Sequence, residues 1–306
     1  MLKMYYKGSD AGSSPEFWEK NWCDSDFDQA LQFCAVDPLR PLFDRYLYPG
    51  ALMLEGGCGM GQYVAYYSSQ GVKVVGFDFA RETLVRLQRR KAGLTLCAGD
   101  VGKLPFRNEA FDVYYSGGVV EHLEHGPETA IQEAWRILKP GGILLISVPY
   151  LNPIRAVLSL TGKDEYRQVY LHESESRSQS SQRQFFQYVY KPNEFQPLLE
   201  KAGFQVIDRR GYSVLWGLYE VPLIGDWLQK TQARRQQPKE AVKKDPAVLV
   251  SGMTAFHNAS ASQSVLRRLI VREDDSVPVI GLAVQAARWF AANMMMYVGH
   301  RSQSKM

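Results

Sequence analysis

Residues 54–64 read LEGGCGMGQYV, and this stretch places four glycines within six consecutive positions directly after a short apolar run. A glycine in regular structure costs about 0.5–1 kcal/mol relative to alanine, so four of them indicate a use for the missing side chains. Gly56, Gly57, Gly59 and Gly61 predict a tight turn from a strand into a helix. Such a turn lets a ligand approach the backbone and directs free N–H groups of the helix start at it.

The glycine stretch stands at the start of a regular alternation of apolar runs and amphipathic segments. The predicted strands are ALMLEG, VKVVGFD, LTLCAGD, FDVYYSG and ILLISVP, and helices such as RETLVRLQRRK and PETAIQEAWRIL lie between them. Continuous apolar strands that alternate with helices are typical of a parallel sheet covered on both faces. The pattern therefore predicts an α/β, doubly wound, mostly parallel sheet.

Changes in composition divide the chain around this alternation. Residues between the strand ILLISVP and the next helix are mixed and include the very polar run HESESRSQSSQRQ, which suggests a lid or substrate insertion. We predict an N-terminal helical cap at 1–50, a ligand-binding core at 51–150, a helical lid at 151–190, and the C-terminal half of the core at 191–306, with a basic polar insertion at 229–262.

The spacing of the glycines separates two kinds of nucleotide site. A dinucleotide site carries G-x-G-x-x-G, but the third glycine position falls on Gln62 when counted from Gly57 and on Val64 when counted from Gly59. The chain has instead an acid followed by alternating glycines, beginning at Glu55. This pattern argues against a nicotinamide cofactor.

Three acidic residues recur at the interval of one strand and one helix. Glu55 and Asp78 are 23 residues apart, and Asp78 and Asp100 are 22 apart, so all three are expected at one edge of neighbouring strands. Asp78 can accept both hydroxyls of a ribose through charge-assisted hydrogen bonds. Asp100 is expected near a purine amino group, and Glu55 near an amino group or a bridging water.

Taken together, these segments resemble a class I S-adenosylmethionine-dependent methyltransferase of the small-molecule and quinone methylase subgroup. The resemblance rests on LEGGCGMG, VVGFDFA, AGDVGKLPFRNEAFDVYYSGGVVEHLEH, AWRILKPGGILLISVP and YKPNEFQPLLEKAGF, in family order and spacing. It implies a Rossmann-like sheet of seven strands, the last of them antiparallel and formed by the tail NMMMYVGHR.

The resemblance also implies roles for individual residues. Gly57, Cys58 and Gly59 would approach the methionine part of S-adenosylmethionine, Asp78 with Phe79 would hold the ribose, Asp100 with Val101 would hold the adenine, and Gly117 would lie under the sulfonium. Glu55 stands where the family more often has aspartate, which keeps the charge on a longer arm.

The catalytic residue is less clearly indicated by the sequence. His122 follows the fourth predicted strand at the ligand edge and could take a proton from a substrate hydroxyl, or it could only shape the pocket. His125 is expected at the surface. Tyr5, Tyr6, Trp18 and Trp22 either cap the cofactor or pack as an N-terminal helix, and His172 and Tyr188 are weaker substrate-contact candidates. No metal site is indicated.

The acceptor of the methyl group stays open at this level. Oxygen, nitrogen and carbon nucleophiles of a small molecule, a lipid or a glycan precursor are all compatible with the same cofactor half. A nicotinamide oxidoreductase and a non-catalytic cofactor-binding protein are the alternatives. Nucleic acid is not expected, because the net charge is only +4 and no N-P-P-Y-like tetrapeptide is present. The oligomeric state is not indicated.

The sequence predicts a cytoplasmic protein with, at most, peripheral membrane contact. The start MLKMYYKGSD has no apolar leader, and the four cysteines form no C-x-x-C pair. Residues 277–299 are long enough to span a membrane, but Arg288 and other polar residues interrupt them, so a helix at 281–292 and an antiparallel edge strand MMMYVG are predicted. Apolar residues at 215–228 and the basic run 229–245 leave contact with a lipid surface open.

Overall fold

The computed structural model describes residues 1–7, 14–23, 25–160, 170–171, 183–221, 224–225, 227, 270–273 and 278–302. Its strands are β1 (Leu2–Lys7), β2 (Leu52–Gly56), β3 (Lys73–Asp78), β4 (Thr95–Ala98), β5 (Phe111–Gly117), β6 (Leu138–Pro149), β7 (Tyr170–Leu171), β8 (Arg183–Val189), β9 (Phe204–Tyr212) and β10 (Met294–Arg301).

The helices with described bounds lie between these strands, three of them in succession before β2. They are α1 (Pro15–Cys23), α2 (Phe27–Cys34), α3 (Arg40–Tyr46), α4 (Gln62–Ser69), α5 (Arg81–Arg90), α6 (Glu128–Ile137), α7 (Pro153–Leu160), α8 (Pro192–Lys201), α9 (Val214–Tyr219) and α10 (Pro278–Ala291), with a short 3₁₀ turn at Val120–His122.

Seven strands form one mixed sheet in the order β4-β3-β2-β5-β6-β10-β9. The strands from β2 to β6 pair in parallel, and β10 pairs antiparallel with both β6 and β9. The predicted Rossmann-like α/β fold with an antiparallel C-terminal strand is confirmed.

The C-terminal strand lies one place inside the edge that was predicted for it. β10 runs between β6 and β9, so β9 is the outermost strand. Met296, Tyr297 and Val298 of β10 are almost completely buried, and backbone groups at that depth need partners on both sides. β9 alternates the exposed residues Gln205, Ile207 and Arg209 with more buried ones, and an exposed side with polar residues suits a sheet edge.

Helices cover both faces of the sheet, and their apolar residues recur at helical spacing. On one face, α6 buries Ala130, Ile131, Ala134 and Ile137, which lie on one side of a 3.6-residue helix. On the other face, α3 and α4 pack Phe43 and Val64 against the sheet. The carboxyl ends of β2 to β6 therefore remain uncovered by these helices and form the edge where ligands bind in such folds.

The N-terminal segment is helical only in part. Helices α1, α2 and α3 agree with the predicted cap, but β1 was not predicted. It forms the middle of a small antiparallel sheet in the order β7-β1-β8, with Leu2 opposite Val189. A strand whose partner lies so far along the chain leaves little local pattern.

The two described ends of the predicted lid are fixed to the core. The Asn152 side chain donates a hydrogen bond to the Ala292 carbonyl over 2.8 Å, and β8 pairs along its length with β1. The lid hypothesis therefore concerns residues 161–169 and 172–182, which lie outside the described residues, as does the predicted basic insertion at 229–262.

The apolar stretch 277–299 forms the predicted helix and strand, α10 and β10. Among the described residues, none of the helices is both long and apolar enough to cross a membrane.

A buried arginine joins the elements that surround the start of β10. Arg155 is 4% exposed, and its Nη1 donates to the carbonyls of Tyr150 and Asn293, each over 2.9 Å. Its guanidinium group also pairs with the Glu220 carboxylate. Asn293 Nδ2 donates to the same carboxylate over 3.0 Å, so α7, α9 and β10 meet at one network.

We expect Arg155→Met to lower the free energy of unfolding by about 3–5 kcal/mol, because it leaves the Glu220 carboxylate without its buried partner. Urea unfolding measures the loss. Arg45→Met is the matched control, since Arg45 is 64% exposed in its 3.7 Å pair with Asp208 and should cost less than about 1 kcal/mol. Equal losses in the two variants would contradict a structural role for the Arg155 network.

Candidate active site

The glycine loop follows β2 and turns sharply over the end of β3. The amides of Gly57 and Cys58 both donate to the Phe77 carbonyl, over 2.7 and 3.1 Å. Gly57, Gly59 and Gly61 have φ values of 76°, 51° and 73°, in the left-handed region that side-chain-bearing residues rarely adopt. The backbone conformation explains three of the four glycines in the opening stretch.

The missing side chains of the loop also make room for two neighbours. A Cβ on Gly57 would lie 2.2 Å from the Val119 side chain, and a Cβ on Gly59 would lie 2.8 Å from the Trp22 indole. The loop therefore packs directly under helix α1 and under the segment that follows β5. This close packing explains the absence of side chains at the two positions, and the approach of a cofactor to the loop stays a prediction.

Asp78 ties the loop to the end of β3. One carboxylate oxygen accepts a hydrogen bond from the Gly59 amide over 2.7 Å, and the other accepts from the Ala80 amide over 2.8 Å. Burial raises the pKa of the Asp78 carboxyl group, and these backbone hydrogen bonds oppose the rise. Each oxygen of a carboxylate has a second lone pair, so the two ribose hydroxyls assigned to Asp78 still have acceptors.

Glu55 lies beneath the loop with one oxygen left over. The residue is 3% exposed, and its Oε2 has no hydrogen-bond partner among the described residues. Burial, and then the negative charge of Asp78, raise the pKa of Glu55 well above its usual value. An unpartnered buried carboxyl oxygen beside the glycine loop fits a ligand that donates a hydrogen bond, as an amino group does.

The remaining predicted cofactor residues line the same edge. The strand order places β4, β3 and β2 side by side, as the spacing of the acids predicts. Asp100 is exposed and accepts a hydrogen bond from the Gly102 amide over 2.8 Å. Val101 is buried, and Phe79 is 38% exposed. These positions are compatible with a nucleoside groove, and the individual roles stay predictions.

His122 lies in the 3₁₀ turn after β5 and Gly117. Its Nδ1 donates to the Phe186 carbonyl over 2.7 Å, which leaves Nε2 as the acceptor of a neutral imidazole. Burial lowers the pKa of His122 to about 4, and the bond to Phe186 opposes the shift only in part. At neutral pH the ring is therefore uncharged, with a lone pair on Nε2.

Glu121 places a second titratable group beside this ring. Its Oε1 lies 4.0 Å from His122 Nε2, which is too far for a hydrogen bond, and its Oε2 has no partner among the described residues. Burial raises the pKa of Glu121 to about 8. The end of β5 thus carries a neutral imidazole next to a neutral carboxylic acid.

Aromatic side chains of α1 cover this part of the site. Trp18 and Trp22 stack with ring centroids 5.9 Å apart, and Trp18 meets the edge of His122 at 4.9 Å. The helix is held on α5 because the Glu82 amide donates to the Glu19 carboxylate over 3.1 Å. Trp18 and Trp22 thus belong to a packed helix, one of the two alternatives considered from the sequence, and their capping of a cofactor stays a prediction.

The other aromatic and histidine candidates lie elsewhere. Tyr5 packs against Phe185, and Tyr188 is buried and donates to the Glu124 carbonyl over 2.7 Å. His125 is exposed, as expected. The side chain of Tyr6 and the whole of His172 fall outside the described residues.

Within the described ranges, no group of three or more His, Cys, Asp or Glu side chains is arranged to hold a metal ion. Cys23, Cys34, Cys58 and Cys97 are all free thiols, as the spacing indicated.

Two functional features were not identified from the sequence. No role was assigned to Glu121 from the sequence, although an acid inside the apolar run VVEHL is a signal for a buried carboxyl group. The Phe186 carbonyl that fixes the His122 ring belongs to β8, and no sequence pattern connects these two residues.

We expect Glu121→Gln to change how stability depends on pH. Between pH 4.5, the usual pKa of the group, and about pH 8, Glu121 keeps a proton in the folded chain that it releases in the unfolded chain. Glu121 therefore lowers the free energy of unfolding as pH rises, by at most roughly 1.4 kcal/mol per pH unit. The gain in unfolding free energy of Glu121→Gln over the unchanged protein should therefore grow across that window.

Urea unfolding of both proteins at a series of pH values measures this difference. Comparing the two proteins removes the opposite contribution of His122, whose lowered pKa makes stability rise between about 4 and its usual 6.5. A difference that stays constant with pH would contradict a buried, protonated Glu121.

Comparison with known proteins agrees with the geometry. Residues 54–146 match the family model described as a methyltransferase domain. These residues include the glycine loop, Asp78, Asp100 and the Glu121–His122 pair.

Three curated relatives are similar over part of the chain. Malonyl-[acyl-carrier protein] O-methyltransferase of Serratia marcescens is 31% identical over 33% of this chain and 39% of its own. Demethylmenaquinone methyltransferase of Renibacterium salmoninarum is 32% identical over 36% and 47%. Ubiquinone biosynthesis O-methyltransferase of Cereibacter sphaeroides is 28% identical over 55% and 68%.

The alignment spans less than half the length of the first two relatives. The residues that match the family model carry the glycine loop and the three acids. The glycine loop, the order of the strands and the matched family model agree, and residues 54–146 are similar to a methyltransferase domain.

Proposed function

We propose that the protein transfers a methyl group from S-adenosylmethionine to an oxygen atom of a small molecule. The observation that carries the choice of oxygen is His122, whose ring is neutral and fixed with Nε2 as a free acceptor at the end of β5. A hydroxyl or phenol acceptor must lose a proton when it is methylated, and an imidazole in this state can take it.

The described residues fit the cofactor that the domain requires. The left-handed glycines form a tight loop between β2 and α4, Asp78 offers lone pairs at the end of β3, and Glu55 Oε2 is a buried oxygen without a hydrogen-bond partner among the described residues. When bound, S-adenosylmethionine supplies a methyl group already activated on a positively charged sulfur. The protein then has to align the acceptor and exclude water.

Helix α1 supplies the exclusion of water. Trp22 lies on Gly59, and Trp18 lies on His122, so one aromatic pair covers both the cofactor loop and the proposed base. The electron-rich faces of indole rings also suit a cationic sulfonium group. We assign to both tryptophans the role of shielding the reaction site from water.

Glu121 would support the base once it has taken a proton. A positive charge on the His122 ring would lie 4.0 Å from Glu121 Oε1. That charge would lower the pKa of the carboxyl group, which is about 8 without it, and by the same coupling Glu121 would favour the protonated ring. Glu121 is thus a positioning residue for His122.

The relatives support an oxygen acceptor on a small molecule. Two of the three are named as O-methyltransferases, one for a malonyl-[acyl-carrier protein] and one in ubiquinone biosynthesis. Lipid and glycan precursors belong to the same range of acceptors. The four free thiols are in keeping with a reducing compartment such as the cytoplasm.

Binding of the cofactor is tested with Gly59→Ala. We expect a loss of S-adenosylmethionine affinity of about tenfold or more, because the new Cβ adds strain at positive φ and displaces Trp22. Gly50→Ala is the matched control, since Gly50 also has a positive φ of 91° but has nothing within 4 Å of a Cβ. Calorimetry with S-adenosylmethionine and with NAD measures the affinities.

Preferential binding of NAD by the unchanged protein would contradict the proposed cofactor. Equal affinity for S-adenosylmethionine in both glycine variants would show that the contact between Trp22 and Gly59 does not contribute to the site.

Base catalysis is tested with His122→Ala and His122→Asn. With labelled S-adenosylmethionine and an acceptor identified from cell extract, each variant should lose about 10²–10⁴ in turnover while cofactor affinity stays nearly unchanged. Because the pKa of His122 is about 4, the rate of the unchanged protein should not rise around the usual imidazole value of 6.5 but only at more acidic pH.

Recovery of activity in His122→Asn would make His122 a positioning residue and would remove the argument for an oxygen acceptor. Cofactor binding without labelled product from any extract would favour a non-catalytic protein.

A further inference from the structure

Helix α10 turns its charge inward and its large apolar side chains outward. Its one charged residue, Arg288, is buried and pairs with Glu273 at 2.9 Å. On the opposite side, Leu282 is 71% exposed and Trp289 is 58% exposed, and Phe290 is half exposed beside them. A surface helix of a protein in water normally has the reverse arrangement.

Helix α7 repeats the same inversion. Its one charged residue, Arg155, is buried in the network with Glu220, whereas Val157 is 61% exposed and Leu160 is 81% exposed.

The two helices are joined at one end. Asn152, just before α7, donates to the carbonyl of Ala292, just after α10. Arg155 donates to the next carbonyl, that of Asn293. We name Val157, Leu160, Leu282, Trp289 and Phe290 together the apolar face.

We propose that the apolar face docks on the surface of an anionic lipid bilayer. Tryptophan, phenylalanine and leucine on one side of a surface helix are the side chains that enter the boundary between lipid headgroups and acyl chains. Large exposed apolar groups of this kind mark an interaction site when they lie on neighbouring elements.

The charges of the chain favour lipid over a protein partner. The charged residues of α7 and α10, Arg155 and Arg288, are both buried, so these helices present no surface charge that would set the register of a protein–protein contact. The chain carries a net charge of +4, and residues 229–245 alone contain six Lys or Arg against two acids. Such an excess adds attraction to anionic headgroups.

The position of the apolar face connects the bilayer with the acceptor side of the site. Helix α7 follows the end of β6, and α10 ends shortly before Met294, which lies opposite Pro149 in the sheet. Both helices therefore stand at the carboxyl edge that also carries Gly117 and His122. If the proposed methyl transfer is correct, this placement favours an acceptor with an apolar tail that resides in the bilayer.

The docking is tested by sedimentation of the full chain with vesicles. The unchanged protein should sediment with vesicles of phosphatidylcholine mixed with phosphatidylglycerol. The affinity of the double variant Trp289→Ser/Phe290→Ser for these vesicles should be lower by about tenfold or more. Tyr48→Ser is the matched control. Tyr48 is also 58% exposed, but it precedes β2 and therefore lies near the amino ends of the parallel strands, away from the apolar face. Its binding should be unchanged.

Both variants replace exposed side chains, and thermal unfolding checks that they stay folded. Vesicle binding needs neither cofactor nor turnover, so a failure of the proposed methyl transfer would not change this result.

Three outcomes would overturn the proposal. The unchanged protein could fail to bind the vesicles, or the double variant could bind as well as the unchanged protein and be released by salt alone, which would assign the binding to charge elsewhere. Gel filtration could show a dimer that the double variant converts to a monomer, without vesicle binding, which would make the apolar face a contact between two copies.

Discussion

The carboxylate of Asp78 is the interaction on which the ligand edge depends. It receives the Gly59 amide on one oxygen and the Ala80 amide on the other, so the glycine loop and the end of β3 share one anchor. The loop can adopt three left-handed residues only because they are glycines. The position of the loop then determines where α4 begins and where Trp22 packs.

Burial determines the chemistry at the end of β5. An exposed Glu–His pair at neutral pH would have a charged carboxylate and a partly charged ring. Here burial raises the pKa of Glu121 and lowers that of His122, so both groups are neutral, and a proton taken up by His122 would place a positive charge 4.0 Å from Glu121 Oε1. The arrangement costs stability at higher pH, and such a cost is typical of groups kept for a reaction.

The buried arginines of α7 and α10 connect packing with the outer surface. Arg155 and Arg288 each satisfy a carboxylate and backbone carbonyls inside the fold. Because these charges are used internally, the outward sides of both helices are left to apolar residues. The network around Arg155 thus holds the start of β10 in place. The inward direction of both arginines leaves an apolar surface near the end of β6, beside the acceptor side of the site.

Local sequence patterns were sufficient for the elements of the core and for the glycine loop. The strands from ALMLEG to ILLISVP, the helices between them and the alignment of Glu55, Asp78 and Asp100 along one edge all follow from periodicity and spacing, because each strand–helix unit repeats the same geometry. The helix and strand within residues 277–299 were predicted for the same reason.

Contacts between distant segments could be decided only by the tertiary structure. β1 pairs with β8 far along the chain, β10 inserts between β6 and β9, Trp22 rests on Gly59, and the Phe186 carbonyl fixes His122. The inward direction of Arg155 and Arg288 belongs to the same group. Periodicity reports which side of an element is apolar, but the partner that covers that side, and the burial that shifts a pKa, depend on how the elements pack together.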